Sequence, residues 1–329
     1  MVKFRRLLLR WYEQSRRDLP WRATRDVYQI WLSEIMLQQT RVETVLPYYD
    51  AFLKRFPDVA TLASAPEAEV LALWSGLGYY SRARNMHRAA KLIAEAGTFP
   101  REYERLRALP GVGDYTAAAV ASIAFNLPFA AVDGNVLRVL ARVFNDAGDI
   151  GSPAIRRRFR QLAQETLDSR HPGEFNQAMM ELGATVCLPR NPGCLKCPVR
   201  TECGAYAEGR TAELPIKLKR HQSKSEKLSV AVVSRGDLVL MRRRPADAAR
   251  MAGFWELPAT GDLPGLTNIR RHGSFRHTIV HTVFEVEVCS GLLKRAPKGA
   301  RWMHPAHHAV PVTTVSRKAL DLVRSGQTD

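Results

Sequence analysis

Residues 106–120 read LRALPGVGDYTAAAV, two helical segments joined by a short turn that contains Gly111 and Gly113. Glycine tolerates positive φ and lets a ligand approach the backbone closely. Backbone amides at the start of the second helix can then bind an anion. An ordinary turn between helices is the alternative interpretation. The second glycine and the small residues behind it favour a helix–hairpin–helix motif, in which Gly111, Val112 and Gly113 would bind a DNA backbone phosphate.

The charge of the chain is consistent with a polyanionic partner. The 329 residues include 49 Lys and Arg against 32 Asp and Glu, which gives a formal net charge of +17. Basic side chains that neutralise phosphates release counterions and so strengthen binding to nucleic acid. Charge alone does not decide the matter, because basic surfaces also occur in proteins that bind no nucleic acid.

The sequence predicts no membrane association. It contains no apolar run of about 18 residues, the minimum for a membrane-spanning helix. The N-terminal segment has only three consecutive leucines, Leu7–Leu9, and lacks the apolar core and cleavage site of a signal peptide. We therefore expect a cytoplasmic protein, associated with the nucleoid through DNA binding.

The hydrophobic pattern changes along the chain. Residues 1–215 have helical periodicity, for example at 68–73, 83–96 and 156–167. Residues 216–227 are polar and basic, which is typical of a linker. In residues 228–329 the pattern predicts strands at 228–233, 238–241 and 282–288 and a last helix near 316–324. The expected fold is therefore an all-α domain followed by an α+β domain.

Four of the five cysteines lie close together, with the spacing Cys187-x6-Cys194-x2-Cys197-x5-Cys203. Thiolates are ligands for both zinc and iron–sulfur clusters. Structural zinc sites usually pair their cysteines as two close knuckles, whereas this segment has only one such pair. Four unliganded cysteines are the other alternative, but such clustering would be unusual. The spacing favours a [4Fe–4S] cluster.

Two carboxylates are candidates for catalysis. Glu34 lies in a nearly apolar helical stretch, and Asp133 precedes a predicted helix. A carboxylic acid in apolar surroundings has a raised pKa and can hold a proton at neutral pH. A carboxylate among hydrogen-bond donors stays ionised and can stabilise a cationic sugar. Such a pair suits cleavage of a glycosidic bond, although each residue alone could be purely structural and Asp133 is well placed as a helix N-cap.

The hairpin, residues 132–136 (VDGNV) and the cysteine spacing together resemble the endonuclease III superfamily of DNA glycosylases. Within it, residues 19–22 (LPWR), 33–40 (SEIMLQQT) and 76–85 (GLGYYSRARN) resemble the adenine DNA glycosylases of the MutY type. The resemblance implies a monomeric enzyme that removes adenine opposite 8-oxoguanine or guanine in double-stranded DNA. It also implies a six-helix module at about 23–130 and an iron–sulfur module formed by the N-terminal helix and residues 131–215, with the cluster loop at 187–203.

Residue roles follow from the same resemblance. Glu34 matches the general acid that protonates adenine at N7. Asp133 matches the carboxylate that stabilises or transiently bonds the anomeric carbon, with Asn135 as its hydrogen-bonding neighbour. Tyr115 stands where bifunctional relatives carry a Schiff-base lysine, so we expect a monofunctional hydrolase that leaves an abasic site. The implied substrate-binding residues are Trp21, Arg22 and Gln177 at the adenine, and Gln39, Leu77 and Tyr79 at the duplex wedge and the opposite base. Arg17 and Thr40 are expected to bind the substrate as well.

The second domain resembles the Nudix-like domain that reads the opposite base in the same family. The resemblance rests on residues 242–245 (RRRP), 253–258 (GFWELP) and 276–278 (RHT). No acidic Nudix box follows Pro258, so we expect no nucleotide hydrolysis. The family's Phe-Ser-His loop aligns with Ile279, Val280 and His281. His281 keeps its implied role in reading the base, but Val280 has no hydroxyl, and we expect a weaker preference for 8-oxoguanine over guanine.

Three other functions are consistent with parts of the sequence. A thymine-mismatch glycosylase of the same superfamily would share the cluster, the hairpin and the tyrosine, but it would normally lack the second domain. A bifunctional lyase is disfavoured by Tyr115. A non-enzymatic DNA-binding module would have no need for Glu34 and Asp133 together.

Overall fold

The contacts within the chain define two compact units. The computed structural model describes residues 1–218, 224–245, 247–248, 251–279, 282–304 and 310–325. The first unit comprises Met1–Ala63 and Arg88–Lys219, and the second comprises Ser64–His87 and Arg220–Asp329. A segment from within the predicted helical domain 1–215 thus makes its contacts in the same unit as the C-terminal residues.

Residues 2–207 fold into α-helices and short 3-10 helices joined by loops. Their bounds are α1 Val2–Ser15, α2 Val27–Leu37, α3 Val42–Arg55, α4 Val59–Ser64, α5 Glu67–Leu73, α6 Ser81–Ala96, α7 Tyr103–Arg107, α8 Asp114–Phe125, α9 Gly134–Val143, α10 Pro153–Thr166, α11 Pro172–Thr185 and α12 Gly204–Ala207. Short 3-10 helices lie at Pro20–Arg22, Cys194–Lys196 and Arg200–Glu202. Within the described residues, no helix is long and apolar enough to cross a membrane.

Capping residues define the ends of the helices that carry the site. Asp26 caps the N-terminus of α2 by accepting a hydrogen bond from the Gln29 amide at 3.0 Å. Helix α8 begins after Gly113 and ends at Asn126, which has φ 56°. Asp133 caps α9 through the amide of Val136. These caps define where α2 and α9 begin and where α8 ends.

The core of the first unit joins its N-terminal helix to its last helices. Phe4, Leu8 and Tyr12 of α1 are buried together with apolar residues of α9, α10 and α11. Partly buried Cys187 and Cys197 pack against the same cluster. The N-terminal helix and the cysteine loop therefore share one core.

The C-terminal part is an α+β arrangement. Its elements are β1 Lys224–Val232, β2 Ser234–Arg235, β3 Leu238–Arg243, β4 Trp255–Glu256, β5 Thr267–Ile279, β6 Thr282–Leu292, β7 Ala300–Met303 and helix α13 Thr314–Ser325. In one sheet β6 lies between β1, to which it is parallel, and β5, to which it is antiparallel. In the other sheet β3 pairs with β2, β4 and β7. Val286 and Val288 of β6 and Ala319 and Leu320 of α13 are buried in the core of this part.

The fold class predicted from the sequence, a helical domain followed by an α+β domain, is confirmed. The helices expected at 68–73, 83–96 and 156–167 correspond to α5, α6 and α10. The strands expected at 228–233, 238–241 and 282–288 correspond to β1, β3 and β6, and the last helix corresponds to α13. Strand β1 begins at Lys224, within the segment 216–227 that the sequence suggested as a linker.

Candidate active site

One cavity of the first unit collects most of the residues that the sequence marked for chemistry. Its volume is about 370 Å³. Its walls come from the 3-10 helix Pro20–Arg22, from α2 and α8, from the start of α9 and from α11. The predicted site residues that line it are Arg17, Trp21, Arg22, Glu34, Thr40, Tyr115, Asp133, Asn135 and Gln177.

Glu34 is a buried acid with one neighbouring hydroxyl. Its relative exposure is 5%, and its Oε2 accepts a hydrogen bond from the Tyr115 hydroxyl at 2.8 Å. Burial raises the pKa of Glu34 to about 7, against the opposing effect of the Tyr115 hydrogen bond. The carboxyl group can therefore carry a proton at neutral pH, as the apolar sequence around it predicted.

Asp133 is held by hydrogen-bond donors at the N-terminus of α9. Its Oδ1 accepts from the Val136 amide and its Oδ2 from the Asn135 side-chain amide, both at 2.8 Å. Burial raises the pKa of Asp133, and the donors oppose that shift. The predicted N-cap and the predicted site carboxylate are thus the same group, because one Asp133 oxygen caps α9 while the carboxylate still lines the cavity.

Arg138 orients the partner of Asp133. Its Nη2 donates to the Asn135 Oδ1 at 2.8 Å, which leaves the Asn135 Nδ2 free to donate to Asp133. The same Nη2 donates to the Gly183 carbonyl at 2.8 Å, and Nε donates to the Cys187 carbonyl at 2.7 Å. A Cβ on Gly183 would lie 2.6 Å from the Asn135 Cβ, so only glycine allows α11 to approach this closely. The Asn135 amide is therefore fixed by packing as well as by hydrogen bonding.

A buried carboxylate, Glu181, organises the basic wall of the cavity. Arg17 donates from Nε and Nη2 to its two oxygens, each at 2.8 Å, and Arg22 donates to Oε2 at 2.7 Å. Burial alone would raise the pKa of Glu181, but these two guanidinium groups outweigh it and lower the pKa to about 2. Glu181 is therefore ionised and holds both arginines in position.

The remaining predicted adenine contacts lie around these groups. Trp21 is buried and meets the Tyr49 ring edge-on at 5.2 Å. The Gln177 Oε1 accepts a hydrogen bond from the Tyr12 hydroxyl at 3.1 Å. Tyr12 in turn lies beneath the Arg22 guanidinium, 5.4 Å from its ring centroid. Helix α1 thus supports both Gln177 and Arg22.

Tyr115, which the sequence resemblance predicted to replace a lysine nucleophile, lines this cavity. Its hydroxyl contacts Glu34 and also lies 3.0 Å from the Met180 Sδ. Burial raises the pKa of Tyr115 well above its usual value, so the phenol stays neutral. The described residues that line this cavity include no lysine.

The hairpin has the expected helix–turn–helix form between α7 and α8. Gly111 has φ 78°, which is the left-handed conformation that favours glycine. Gly113 has φ −96°, in the extended region, so it does not need glycine's access to positive φ as the sequence suggested. A Cβ on Gly113 would meet no atom of the described chain within 4 Å, and Val112 between the two glycines is buried. The internal packing of the protein does not require glycine at residue 113.

The four clustered cysteines line one small apolar space of about 30 Å³, together with Val139, Leu182 and Val186. Burial is the main cause that raises the pKa of Cys197 to about 12, and the other three cysteines raise it further. Arg142 Nη1 lies 3.3 Å from the Cys187 Sγ. Within the described ranges, no three His, Cys, Asp or Glu side chains are arranged to hold a metal ion. The donor set, four thiols beside a buried guanidinium, fits the chemistry of an iron–sulfur cluster, which carries negative charge.

The other predicted site residues lie outside this cavity. Gln39 is exposed at the end of α2 with φ 57°. Leu77 and Tyr79 belong to the second unit. Val280 and His281 fall outside the described residues, between the last strand pair Ile279 and Thr282.

Sequence reasoning missed four residues of the site. Glu181 and Met180 lie on α11, close in sequence to Gln177, so their helical spacing from Gln177 could have indicated them. Tyr12 contacts Gln177 across 165 residues, and Arg138 acts through Asn135. No local pattern could have revealed the last two, because their partners are fixed only by tertiary packing.

Comparison with known proteins places the chain in a family. Residues 32–165 match the HhH-GPD superfamily of base excision DNA repair proteins. The adenine DNA glycosylase of Mus musculus is 38% identical over an alignment that covers 92% of this chain and 74% of the relative. That of Homo sapiens is 34% identical, with 99% and 75% covered.

Among solved structures, a thermostable thymine-DNA glycosylase is 31% identical with a TM-score of 0.57, covering 62% of this chain and 95% of that one. A non-covalent endonuclease III–DNA complex shares the fold at 21% identity and a TM-score of 0.52, with 62% and 95% covered. The curated relatives extend over most of both the helical and the α+β parts. The chain therefore belongs to the adenine DNA glycosylases of the HhH-GPD superfamily, enzymes that hydrolyse N-glycosidic bonds in base-excision DNA repair.

Proposed function

We propose that the enzyme removes adenine mispaired with 8-oxoguanine or with guanine in double-stranded DNA, and that it acts as a monomer. The observation that carries the proposal is the pair Glu34 and Asp133, which line one cavity in different environments. Glu34 has a pKa of about 7 and can donate a proton, whereas Asp133 is surrounded by donors that favour its ionised form. An oxocarbenium-like transition state needs both a proton donor for the leaving base and a negative charge beside the sugar.

In the proposed mechanism the adenine leaves the duplex and enters the cavity, since chemistry on a base requires its extrusion. The neutral Glu34 carboxyl protonates the base at N7 and so makes it a better leaving group. The Asp133 carboxylate stabilises the positive charge on the sugar, or transiently bonds its anomeric carbon. Asn135, fixed by Arg138, keeps one Asp133 oxygen hydrogen-bonded during the reaction.

Binding of the base rests on other residues that line the same cavity. Arg17, Trp21, Arg22, Thr40 and Gln177 would contact the adenine, with Glu181 setting the direction of both guanidinium groups. Gln39, Leu77 and Tyr79 would wedge the duplex and touch the opposite base. Gly111, Val112 and Gly113 would bind a backbone phosphate through their amides.

The product should be an intact abasic site. A lyase needs an amine that forms a Schiff base with the sugar, and Tyr115 offers a neutral phenol instead. Product DNA should therefore break only after added alkali, and borohydride should trap little covalent complex. Efficient trapping would mean that another amine has taken the lysine's role.

Single-turnover excision from a duplex with adenine opposite 8-oxoguanine tests the two carboxylates. Glu34→Gln and Asp133→Asn should each slow excision by roughly 10²–10⁴-fold, because each keeps the shape and removes the proton or the charge. Asp50→Asn, on the exposed side of α3, is the matched control and should react like the wild type. A near-wild-type rate in either site variant would remove that residue from the mechanism.

The likeness to a thymine-DNA glycosylase makes thymine the second candidate base. A duplex with thymine opposite guanine, run in the same assay, distinguishes the two. We expect excision of adenine only, since the adenine glycosylases match over a larger share of the chain. The ratio of adenine excision opposite 8-oxoguanine to adenine excision opposite guanine then measures the discrimination between these bases. We expect it to be weak, because Val280 has no hydroxyl.

We also propose that Cys187, Cys194, Cys197 and Cys203 hold a [4Fe–4S] cluster. The convergence of the four thiols on one apolar space supports it. When bound, the cluster would tie the loop 187–203 into one rigid unit and thereby fix the carbonyl of Cys187, to which Arg138 donates.

A further inference from the structure

The loop that carries Leu77 and Tyr79 has an unusual backbone. Gly76 and Gly78 have φ 115° and 73°, and Tyr79 has φ 48°. A non-glycine residue in this region is unfavourable and persists only where surrounding contacts impose it. Leu77 is 5% exposed and Tyr79 is 47% exposed, so the loop presents the tyrosine outward.

Part of the restraint comes from the loop itself. Trp74 Nε1 donates to the Gly78 carbonyl at 3.1 Å. Arg82 Nη2 donates to the carbonyls of Leu77 and Gly78 at 3.1 and 3.2 Å. The guanidinium also lies over the rings of Trp74 and Tyr79, 5.3 and 5.6 Å from their centroids.

The rest comes from the C-terminal part of the same unit. Arg317 of α13 donates from Nη1 to the Ser75 carbonyl at 3.2 Å, directly before Gly76. The Tyr80 ring packs on Phe254 with 4.2 Å between centroids, and its hydroxyl accepts from the Gly76 amide at 3.3 Å. Arg84 donates to the Ala252 carbonyl.

Phe254 is held in place by burial and by backbone hydrogen bonds. It is fully buried, and its amide donates to the Met251 carbonyl at 3.1 Å. Its carbonyl accepts from the Arg244 amide at 2.8 Å. Met251 and Gly253 both have positive φ, 53° and 74°, which turns the chain sharply before Phe254. The loop 75–80 therefore rests on a fixed surface formed by residues 252–254 and by α13.

We propose that Arg317 is a positioning residue for base extrusion, through its hold on the Ser75 carbonyl, and that the α+β domain in this way sets the conformation of the loop 75–80. Phe254 supports the same loop through Tyr80. The α+β domain then contributes to opening the duplex as well as to reading the opposite base. This inference rests on the proposed wedge role of Leu77 and Tyr79.

The test compares base extrusion and excision in full-length variants. The substrate is a duplex with adenine opposite 8-oxoguanine and with 2-aminopurine beside the adenine, because 2-aminopurine fluorescence rises when its neighbour unstacks. Arg317→Ala should slow single-turnover excision roughly tenfold, the effect expected from one charge-assisted hydrogen bond, and should reduce the fluorescence change. Arg317→Lys, which keeps a charged donor, should recover part of both.

Arg324→Ala is the matched control. It removes the same charge from the exposed end of the same helix, so it reports any loss of general attraction to DNA. We expect the rate and the fluorescence change of this variant to stay within about twofold of the wild type. An Arg317→Ala variant that behaves like Arg324→Ala would overturn the inference.

A double-mutant cycle with Leu77→Ala separates this inference from the function on which it rests. If Arg317 acts through the loop, Arg317→Ala in the Leu77→Ala background should cost clearly less than tenfold. Effects that simply multiply would show that Arg317 acts elsewhere. If Leu77→Ala alone reacts like the wild type, the wedge role itself is wrong. Should Arg317→Ala lower the melting temperature, the cycle is repeated with Arg317→Met, which keeps an unbranched stem but has no donor for the Ser75 carbonyl.

Discussion

Glu34 and Asp133 differ in the number of donors within hydrogen-bonding distance. Glu34 receives one hydroxyl, whereas Asp133 receives a backbone amide and a side-chain amide. Glu34 is buried and Asp133 is partly buried, so desolvation raises both pKa values, and the hydrogen-bond donors oppose this rise. The apolar stretch around Glu34 and the cap position of Asp133 could be identified in the sequence. The Tyr115 hydrogen bond could not, because the two residues lie 81 positions apart.

The pH dependence of excision follows from the protonated form of Glu34. Since this form is the proposed proton donor and the pKa of Glu34 is about 7, the single-turnover rate should fall as the pH rises through 7. The Tyr115 hydrogen bond stabilises the ionised form, so Tyr115→Phe should raise the pKa of Glu34 and move this fall to higher pH. A pH–rate profile of both proteins measures the shift. A profile that moves to lower pH would contradict the assigned hydrogen bond.

Glu181 contributes stability that depends on pH. Its pKa is lowered from a usual value of 4.5 to about 2, so its contribution is fully present above about pH 4.5 and is lost as the pH falls toward 2. Glu181→Gln leaves two arginines beside a neutral amide and should cost roughly 3–5 kcal/mol at pH 7. Urea unfolding measures this loss. Glu174→Gln, on an exposed ion pair, is the control and should change little.

At the scale of elements, the strongly periodic segments were predictable and the exposed ones were not. Helices α5, α6 and α10 and strands β1, β3 and β6 follow apolar patterns that match their burial. Strand β5 was missed because it is mostly exposed and rich in arginine, so no alternation marks it. Its conformation comes from backbone pairing with β6, which a local sequence pattern does not reveal.

The two glycines of the hairpin are expected to serve different purposes, Gly111 in folding and Gly113 in DNA binding. Gly113→Ala should fold normally, because its φ is −96° and the added Cβ meets nothing. It should nevertheless weaken binding to duplex DNA if a phosphate approaches this amide, by roughly tenfold. Gly111→Ala should instead lose about 1 kcal/mol of stability, because its φ is 78°. Anisotropy titrations at one fixed salt concentration and thermal melts distinguish the two effects. Unchanged DNA affinity in Gly113→Ala would contradict the phosphate site.

At the scale of the whole molecule, the cysteine loop is connected to the active site by a short series of hydrogen bonds. The Cys187 carbonyl accepts from Arg138, which orients Asn135, which donates to Asp133. The cysteine spacing indicated the loop from sequence alone. Its connection to the Asp133 carboxylate required the structure, since Arg138 gave no sequence signal of its own.

The metal content tests the proposed cluster. Purified protein should contain about four irons and about four acid-labile sulfides per chain and should be yellow-brown. Cys197→Ser should lower the melting temperature and the affinity for DNA, because the loop 187–203 would lose its cross-link. Cys289→Ser, in the other unit, is the control and should keep the iron. One tightly held zinc without iron would contradict the proposal.

The contacts of the segment Ser64–His87 also affect how the chain can fold during its synthesis. Arg84 meets Ala252, and Ser75 meets Arg317, across 168 and 242 positions of sequence. At translation rates of about 5–20 residues per second, the ribosome completes these partners on the order of ten seconds or more after it completes the segment. During that interval Tyr80 and the backbone around Gly76 lack the surface that will cover them. The nascent helical half therefore carries an unfinished apolar patch, and a chain terminated before Phe254 would keep it permanently exposed to aggregation and proteolysis.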